Sequence, residues 1–374
     1  MNGIHLNGQY LVAADFEQRS STVLQLLADL AETEQEAIIE FLEQWFDAST
    51  TTISAQTSGS TGPPKTISLQ KSQMLASSAL TAAFFEFKAG QRALLPLSAR
   101  FIAGKMMLVR AIVSGLQLDV RPANEIFPAK NTDPAYYDFA VMVPAQLSRI
   151  IEHKKLDSFR EILLGGADLP PLLMDQLKQV ALPVYQGFGM TETVSHIALR
   201  KVNGSHFEQA YTTLDGVIIK TDERGCLLIR SAATAGEWLQ TNDVITLLND
   251  RQFIWRGRFD NMLNSGGIKV ALEEIESAVA ALIAAESELA WLKTATFAVS
   301  RMPDPRFGES AALWVSGSIP SENERVHSLR LLKEKLPLAW APKAILSIAQ
   351  LPLLDSGKLN RAALSGSLGP IEKL

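Results

Sequence analysis

The chain opens with two stretches of helical periodicity. Val23, Leu26, Leu27 and Leu30 share one helix face, with Ser21 placed to cap it, and Ile38, Ile39, Leu42, Trp45 and Phe46 repeat the spacing. The pattern breaks over residues 49–66, STTTISAQTSGSTGPPKT, where crowded hydroxyls and glycines predict a loop rich in free backbone N–H groups. From Arg92 to Val184 the short β-favouring runs ALLPL, LQLDV, FAVMV, EILLG and LPVYQ alternate with helical stretches such as Gly104 to Val113 and Pro170 to Val180. That rhythm predicts an α/β sheet. The later runs GVIIKT, CLLIRS, VITLLN and QFIWRG follow one another with turn residues and no helix between them, which predicts a small antiparallel β unit.

Residues 257–267 are glycine-rich and polar. Beyond them a helix from Ala271, strands at Thr296 to Val299 and Ala311 to Val315, and a helix from His327 to Leu336 predict a small α+β unit. A boundary at Asp260 divides the chain into a large amino-terminal domain, 1–259, and a carboxy-terminal domain, 260–374. Hydrophobic residues at 47% and charged residues at 20% exclude a disordered or fibrous chain. A net charge of -5 with scattered lysines and arginines speaks against a nucleic-acid partner. The single cysteine, Cys226, cannot close an internal disulfide, and the opening MNGIHLNGQYL lacks a secretory pattern, so the expected compartment is the cytoplasm. No apolar run approaches the ~18 residues of a membrane span, because glutamates interrupt even Ala271 to Leu292.

The chemistry starts at Thr57-Ser58-Gly59-Ser60-Thr61-Gly62-Pro63-Pro64-Lys65. Hydroxyls and open N–H groups can surround phosphate oxygens there while the lysine adds a point charge. A Walker A loop needs glycine directly before its lysine, and Pro64 stands in that place. A Ser/Gly linker ending on an incidental lysine is the plain alternative.

TSGSTGPPK resembles the phosphate-loop motif of the acyl-adenylate-forming superfamily, which includes acyl-CoA synthetases, luciferases and peptide-synthetase adenylation domains. Two further motifs of that superfamily appear in the implied order: Leu164-Gly165-Gly166-Ala167-Asp168, then Tyr185-Gln186-Gly187-Phe188-Gly189-Met190-Thr191-Glu192. The resemblance implies a nucleotide site in which glycines let an adenine lie on bare backbone, Thr191 reaches a phosphate, and Glu192 offers a hard oxygen to Mg²⁺. A dinucleotide fingerprint would need a third glycine where Glu192 stands. Thr241-Asn242-Asp243 and Gly257-Arg258-Phe259-Asp260 match the next elements, so Asp243 and Arg258 become the implied ribose ligands and Asp260 the hinge. Asp355-Ser356-Gly357-Lys358-Leu359-Asn360-Arg361 is similar to the closing motif, whose lysine, here Lys358, reaches across the domain gap as the catalytic cation. Taken singly, Asp243, Arg258 and Lys358 read as ordinary surface charges. Ordered co-occurrence from residue 57 to 361 carries the resemblance.

It implies an ATP-dependent enzyme. A carboxylate attacks the α-phosphorus and pyrophosphate leaves; the carboxy-terminal domain then turns about Asp260, brings Asn264 to Lys269 toward the acyl group, and a thiol, that of coenzyme A, displaces AMP. Within the superfamily, GRFDNMLNSGGIKVALEEIE with MTETVSHIAL and MVPAQLSRII resembles the o-succinylbenzoate-CoA ligases of menaquinone biosynthesis, which share Asn264 and the pair Gly266-Gly267. A dianionic aryl acid needs a cation or several donors for its unreacting carboxylate, and Arg110, Ser195 and His196 are the candidates. Two departures stand out: Thr66 replaces the usual glycine after the loop lysine, and the chain ahead of the loop is short, which leaves room for a homodimer to complete the acyl pocket. The rivals are a ligase that loads the phosphopantetheine of a carrier protein and a non-catalytic nucleotide-binding module.

Overall fold

The computed structural model describes residues 3–56, 65–125, 136–166, 169–204, 207–317, 320–354 and 359–366. A hairpin of β1 (Gly3–Leu6) and β2 (Gln9–Val12) leads into helices α1 (Ala13–Glu17), α2 (Ser21–Leu26) and α3 (Glu32–Phe46). The cap of α2 is Ser20, one residue before the expected Ser21; its hydroxyl accepts from the Val23 N–H at 3.3 Å. Residues 49–66 are not wholly loop. β3 (Thr52–Gln56) and β4 (Thr66–Gln70) form a separate antiparallel hairpin with Gln56 opposite Thr66, because Ile53, Ala55 and Leu69 bury one face of it. Helix α4 (Lys71–Phe84) follows directly.

The predicted α/β rhythm is then realised in full: β5 (Arg92–Leu95), α5 (Ile102–Ser114), β6 (Gln117–Val120), β7 (Phe139–Met142), α6 (Pro144–Glu152), β8 (Ile162–Leu164), α7 (Pro171–Leu177) and β9 (Val184–Gly189). The five strands pair in parallel in the order β9-β8-β7-β5-β6. Their side chains alternate between two cores. Ala93, Leu95, Phe139, Val141 and Leu163 meet Met106 and Met107 of α5 on one face, while Leu94, Ala140, Met142, Ile162 and Leu164 meet Leu147 of α6 and Leu173 of α7 on the other. Burial on both faces is why these runs are continuously apolar.

Strands β10 (His196–Lys201), β11 (Tyr211–Thr213), β12 (Ile218–Thr221), β13 (Cys226–Arg230), β14 (Leu239–Leu247) and β15 (Gln252–Arg258) are antiparallel as expected. β10 bonds to β9, so they continue the same sheet, which with β1 beside β6 reaches 13 strands among the described residues.

A second sheet is built from residues after Asp260: β16 (Met262–Ser265), β17 (Ile268–Ala271), β18 (Thr296–Asp304), β19 (Gly308–Ser316) and β20 (Ala344–Ser347), in the order β17-β16-β19-β18 with β20 parallel to β19. Helices α8 (Leu272–Ala285) and α9 (Glu322–Lys335) cover it with Ile275, Val279, Ile283, Leu331 and Leu332, and α10 (Arg361–Gly366) closes the described chain. Gly266 and Gly267, at φ 60° and 87°, make the two-residue turn between β16 and β17, a conformation that other residues adopt only under strain. The fold is α/β with layered helices and sheet, joined to a small α+β portion. No helix among the described residues is long and apolar enough to cross a membrane.

Candidate active site

The glycine motifs meet at the carboxyl ends of β8 and β9, where parallel sheets present ligands. Gly165 has open space beside its Cα, and Gly166 turns the chain at φ 86°. On β9 a Cβ at Gly189 would stand 2.3 Å from the Ser195 carbonyl oxygen, so the close approach of β10 requires glycine there, and one at Gly187 would stand 3.1 Å from His196 Cβ, a tight contact. Gln186 is buried and accepts from Arg200 Nε and Nη2 at 3.0 and 2.7 Å. The Phe188 ring packs against Tyr211 and Phe253, centroids 5.5 and 5.1 Å apart, which leaves its backbone as the part able to face a ligand.

A 3-10 turn at Thr191–Thr193 connects β9 to β10. It buries Thr191 and exposes Glu192. Val194 follows in the left-handed region at φ 66°, a conformation costing roughly 1–3 kcal/mol for a β-branched residue. The strained turn sends Glu192 outward while Ser195 and His196 point inward. A lone carboxylate suits Mg²⁺, which keeps waters and takes its other ligands from nucleotide phosphates. No group of three His, Cys, Asp or Glu side chains that could cage a metal occurs among the described residues.

Inside the turn lies a polar cluster in an apolar setting. Arg110, on α5, is 1% exposed, and its Nη2 donates to Ser195 Oγ at 2.7 Å. Ser195 Oγ lies 3.3 Å from His196 Nδ1, and His196 Nε2 lies 3.2 Å from Thr81 Oγ1, whose hydroxyl donates to the Ser77 carbonyl on α4. Since the threonine proton goes to Ser77, Thr81 accepts from Nε2–H, and the serine proton is left for Nδ1; this assigns a neutral imidazole. Burial, reinforced by the charge of Arg110, holds the His196 pKa well below its ordinary value. Burial also pulls the Arg110 guanidinium down to about 10, so it remains a cation at neutral pH. No carboxylate among the described residues pairs with it, and its buried Nε has no hydrogen-bond partner there. An isolated buried charge is costly unless something compensates it.

A second cluster joins the three residues read as ribose ligands and hinge. Asp243 on β14 pairs in register with Arg258 on β15. The Trp255 indole donates to Asp243 Oδ1 at 2.9 Å, Arg258 Nη1 lies 3.9 Å from Asp243 Oδ2, and Arg258 Nη2 donates to Asp260 Oδ2 at 2.9 Å. Asn242 Nδ2 also reaches Asp260, at 3.2 Å.

Thr57, Ser58, Gly59, Ser60, Thr61, Gly62, Ala167 and Lys358 lie outside the described residues, whereas Lys65 is described and exposed. Three partners escaped the sequence reading: Thr81, Arg200 and Trp255. Their signal is weak, since a threonine in a helix or an arginine on a strand has no periodicity of its own. Arg110 had a stronger one, an arginine inside the otherwise apolar run MMLVRAIV.

The sequence profile described as AMP-binding enzyme matches residues 11–222, more than half of the chain, and the chain belongs to the AMP-binding enzyme family. An acyl-CoA synthetase (AMP-forming)/AMP-acid ligase II-like protein from Dyadobacter fermentans, known as a crystal structure, is 33% identical, covers 90% of this chain and 94% of its own, and superposes with a TM-score of 0.57. The 2-succinylbenzoate-CoA ligase of Escherichia coli K12 is 26% identical over 239 residues, 60% of this chain and 51% of that protein, so this chain spans about half the length of that relative. The o-succinylbenzoate CoA synthetase of Bacillus subtilis, in complex with the acyl-adenylate intermediate OSB-AMP, shares the fold with a TM-score of 0.69 at 21% identity, over 86% of this chain and 70% of that one.

Proposed function

We propose that the chain joins a carboxylic acid to the thiol of coenzyme A at the expense of ATP, and that the acid is o-succinylbenzoate or a close dianionic aryl keto acid, as in menaquinone biosynthesis. The observation that carries this reading is Arg110, a buried cation beside Ser195 whose Nε has no hydrogen-bond partner and which has no carboxylate partner among the described residues. A substrate with two carboxylates supplies what is missing: one pairs with Arg110 while the other reacts. The names of the relatives from E. coli and B. subtilis support the same substrate.

In the first step a carboxylate oxygen attacks the α-phosphorus, and the bond to the leaving pyrophosphate breaks. The Thr57–Lys65 loop holds the phosphates, Thr191 positions an oxygen, and Lys358 offsets developing charge. Mg²⁺, held through Glu192, would neutralise phosphate charge. Adenine lies along Gly165, Gly166, Ala167 and the 186–189 strand, and Asp243 and Arg258 hold the ribose. In the second step the thiol sulfur attacks the acyl carbon and AMP leaves. Residues 260–374 turn about Asp260 between the steps, and the chain works as a homodimer.

The test supplies purified protein with ATP, Mg²⁺, CoA and a panel of aryl and fatty acids, with Lys358→Ala as control. Thioester and AMP from o-succinylbenzoate alone, abolished by Lys358→Ala, is the expected result. Turnover of a different acid would replace the substrate, and transfer only to a carrier protein would replace the acceptor. Absence of adenylation with every acid would leave a nucleotide-binding module. Sedimentation at working concentration decides the homodimer.

A further inference from the structure

A buried carboxylate sits at the seam between the two sheets. Glu273, in the first turn of α8, is 7% exposed, and α8 packs here against β15. Its Oε1 accepts from Asn261 Nδ2 at 2.5 Å and lies 3.6 Å from Arg361 Nε. Arg361 directs its Nη groups elsewhere, to Glu276 Oε1 and Oε2 at 2.7 and 2.6 Å and to the Val299 carbonyl at 2.8 Å. Glu273 Oε2 is buried with no hydrogen-bond partner among the described residues. It faces the backbone of Gly257 on β15, where a Cβ would stand 2.6 Å from that oxygen. Burial raises the carboxyl's pKa, opposed by Arg361 and Asn261.

These contacts divide by what they belong to. Asn261, Glu276, Val299 and Arg361 all follow Asp260 and travel with Glu273 when the second portion of the chain turns. Gly257 precedes the hinge and stays behind. Rotation therefore parts Oε2 from Gly257, one of the groups packed against it, and an unpartnered carboxylate oxygen is costly to bury. We infer that Glu273 is a positioning residue: its buried, half-partnered charge biases residues 260–374 away from the docked orientation seen here and so sets the balance between the two half-reactions. The inference rests on the two-step reading above.

The experiment uses the full chain with Lys88→Cys and Lys333→Cys, both exposed, carrying spin labels; Cys226 is buried and stays unlabelled. Label-to-label distances are measured without substrate, and the two half-reactions are followed separately in single turnovers. Glu273→Gln keeps the shape and an acceptor for Asn261 while removing the charge. The expected result is a severalfold gain in the docked population, with one half-reaction faster and the other slower. Unchanged distances, or both half-reactions slowed together, would overturn the inference. Glu273→Asp, which keeps the charge, is expected to hold the parent's balance; a shift like that of glutamine would also overturn it. If the parent runs neither half-reaction, the proposed function fails while the distances still decide the role of Glu273.

Discussion

Two arginines line this site, and they are treated in opposite ways. Arg258 lies between Asp243 and Asp260, so its charge is balanced inside the protein and ties β14 and β15 to the start of the second sheet. Arg110 is more deeply buried and has a serine hydroxyl beside it, with a neutral histidine next in line. A partly buried charge paired on both sides, as here, has its desolvation offset by its partners, whereas a buried charge left alone works against folding. An unpaired cation in a well-packed interior is therefore better explained by a ligand than by stability.

The largest expected effect separates those two roles at Arg110. In Arg110→Met, urea melts are expected to show equal or higher stability, since an uncompensated charge is gone. Affinity for a dicarboxylate is expected to fall roughly 10- to 150-fold, the equivalent of a charge-assisted hydrogen bond. A destabilised variant with intact affinity would make Arg110 structural. At Asp243 the sharpening experiment is Asp243→Asn, which keeps an acceptor for Trp255: nucleotide affinity measured by titration should drop about tenfold, with affinity for the acid unaltered. Equal loss of both ligands would show that the two clusters are not independent.

His196 gives a pH signature. Its folded pKa lies below the ordinary 6.5, so under that pH the unfolded chain binds more protons and stability declines as pH falls. The slope approaches about 1.4 kcal/mol per pH unit. Melts of His196→Asn across the same range should lose it; a parent slope retained in the variant would place the titration elsewhere. The smallest effect belongs to Trp255→Phe, which removes one hydrogen bond from Asp243: about 1 kcal/mol of stability and a slight loss in nucleotide titration, against no change at all if water takes the indole's place.

The sequence made some of this legible and hid the rest for physical reasons. Runs such as FAVMV and EILLG announce buried parallel strands because both faces are apolar, and each falls on β7 or β8. The strands around GVIIKT and CLLIRS were readable too, but not their attachment to the main sheet, since the β10–β9 pairing depends on a partner choice that no local run encodes. The hairpin of β16 and β17 was lost behind its glycines, although Gly266-Gly267 is the residue pair that a tight turn of this kind demands. Ser195 and His196 were found as neighbours in sequence. Thr81, which completes their chain of hydrogen bonds from another helix, was not, because only folding brings α4 against β10.

The most direct test of the account compares kcat/KM for o-succinylbenzoate and for an analogue lacking the distal carboxylate, in the parent protein and in Arg110→Met. The account predicts a strong parent preference for the dicarboxylate that collapses in the variant, with turnover of the monocarboxylate held constant. A preference that survives in Arg110→Met, or an equal fall for both acids, would contradict it.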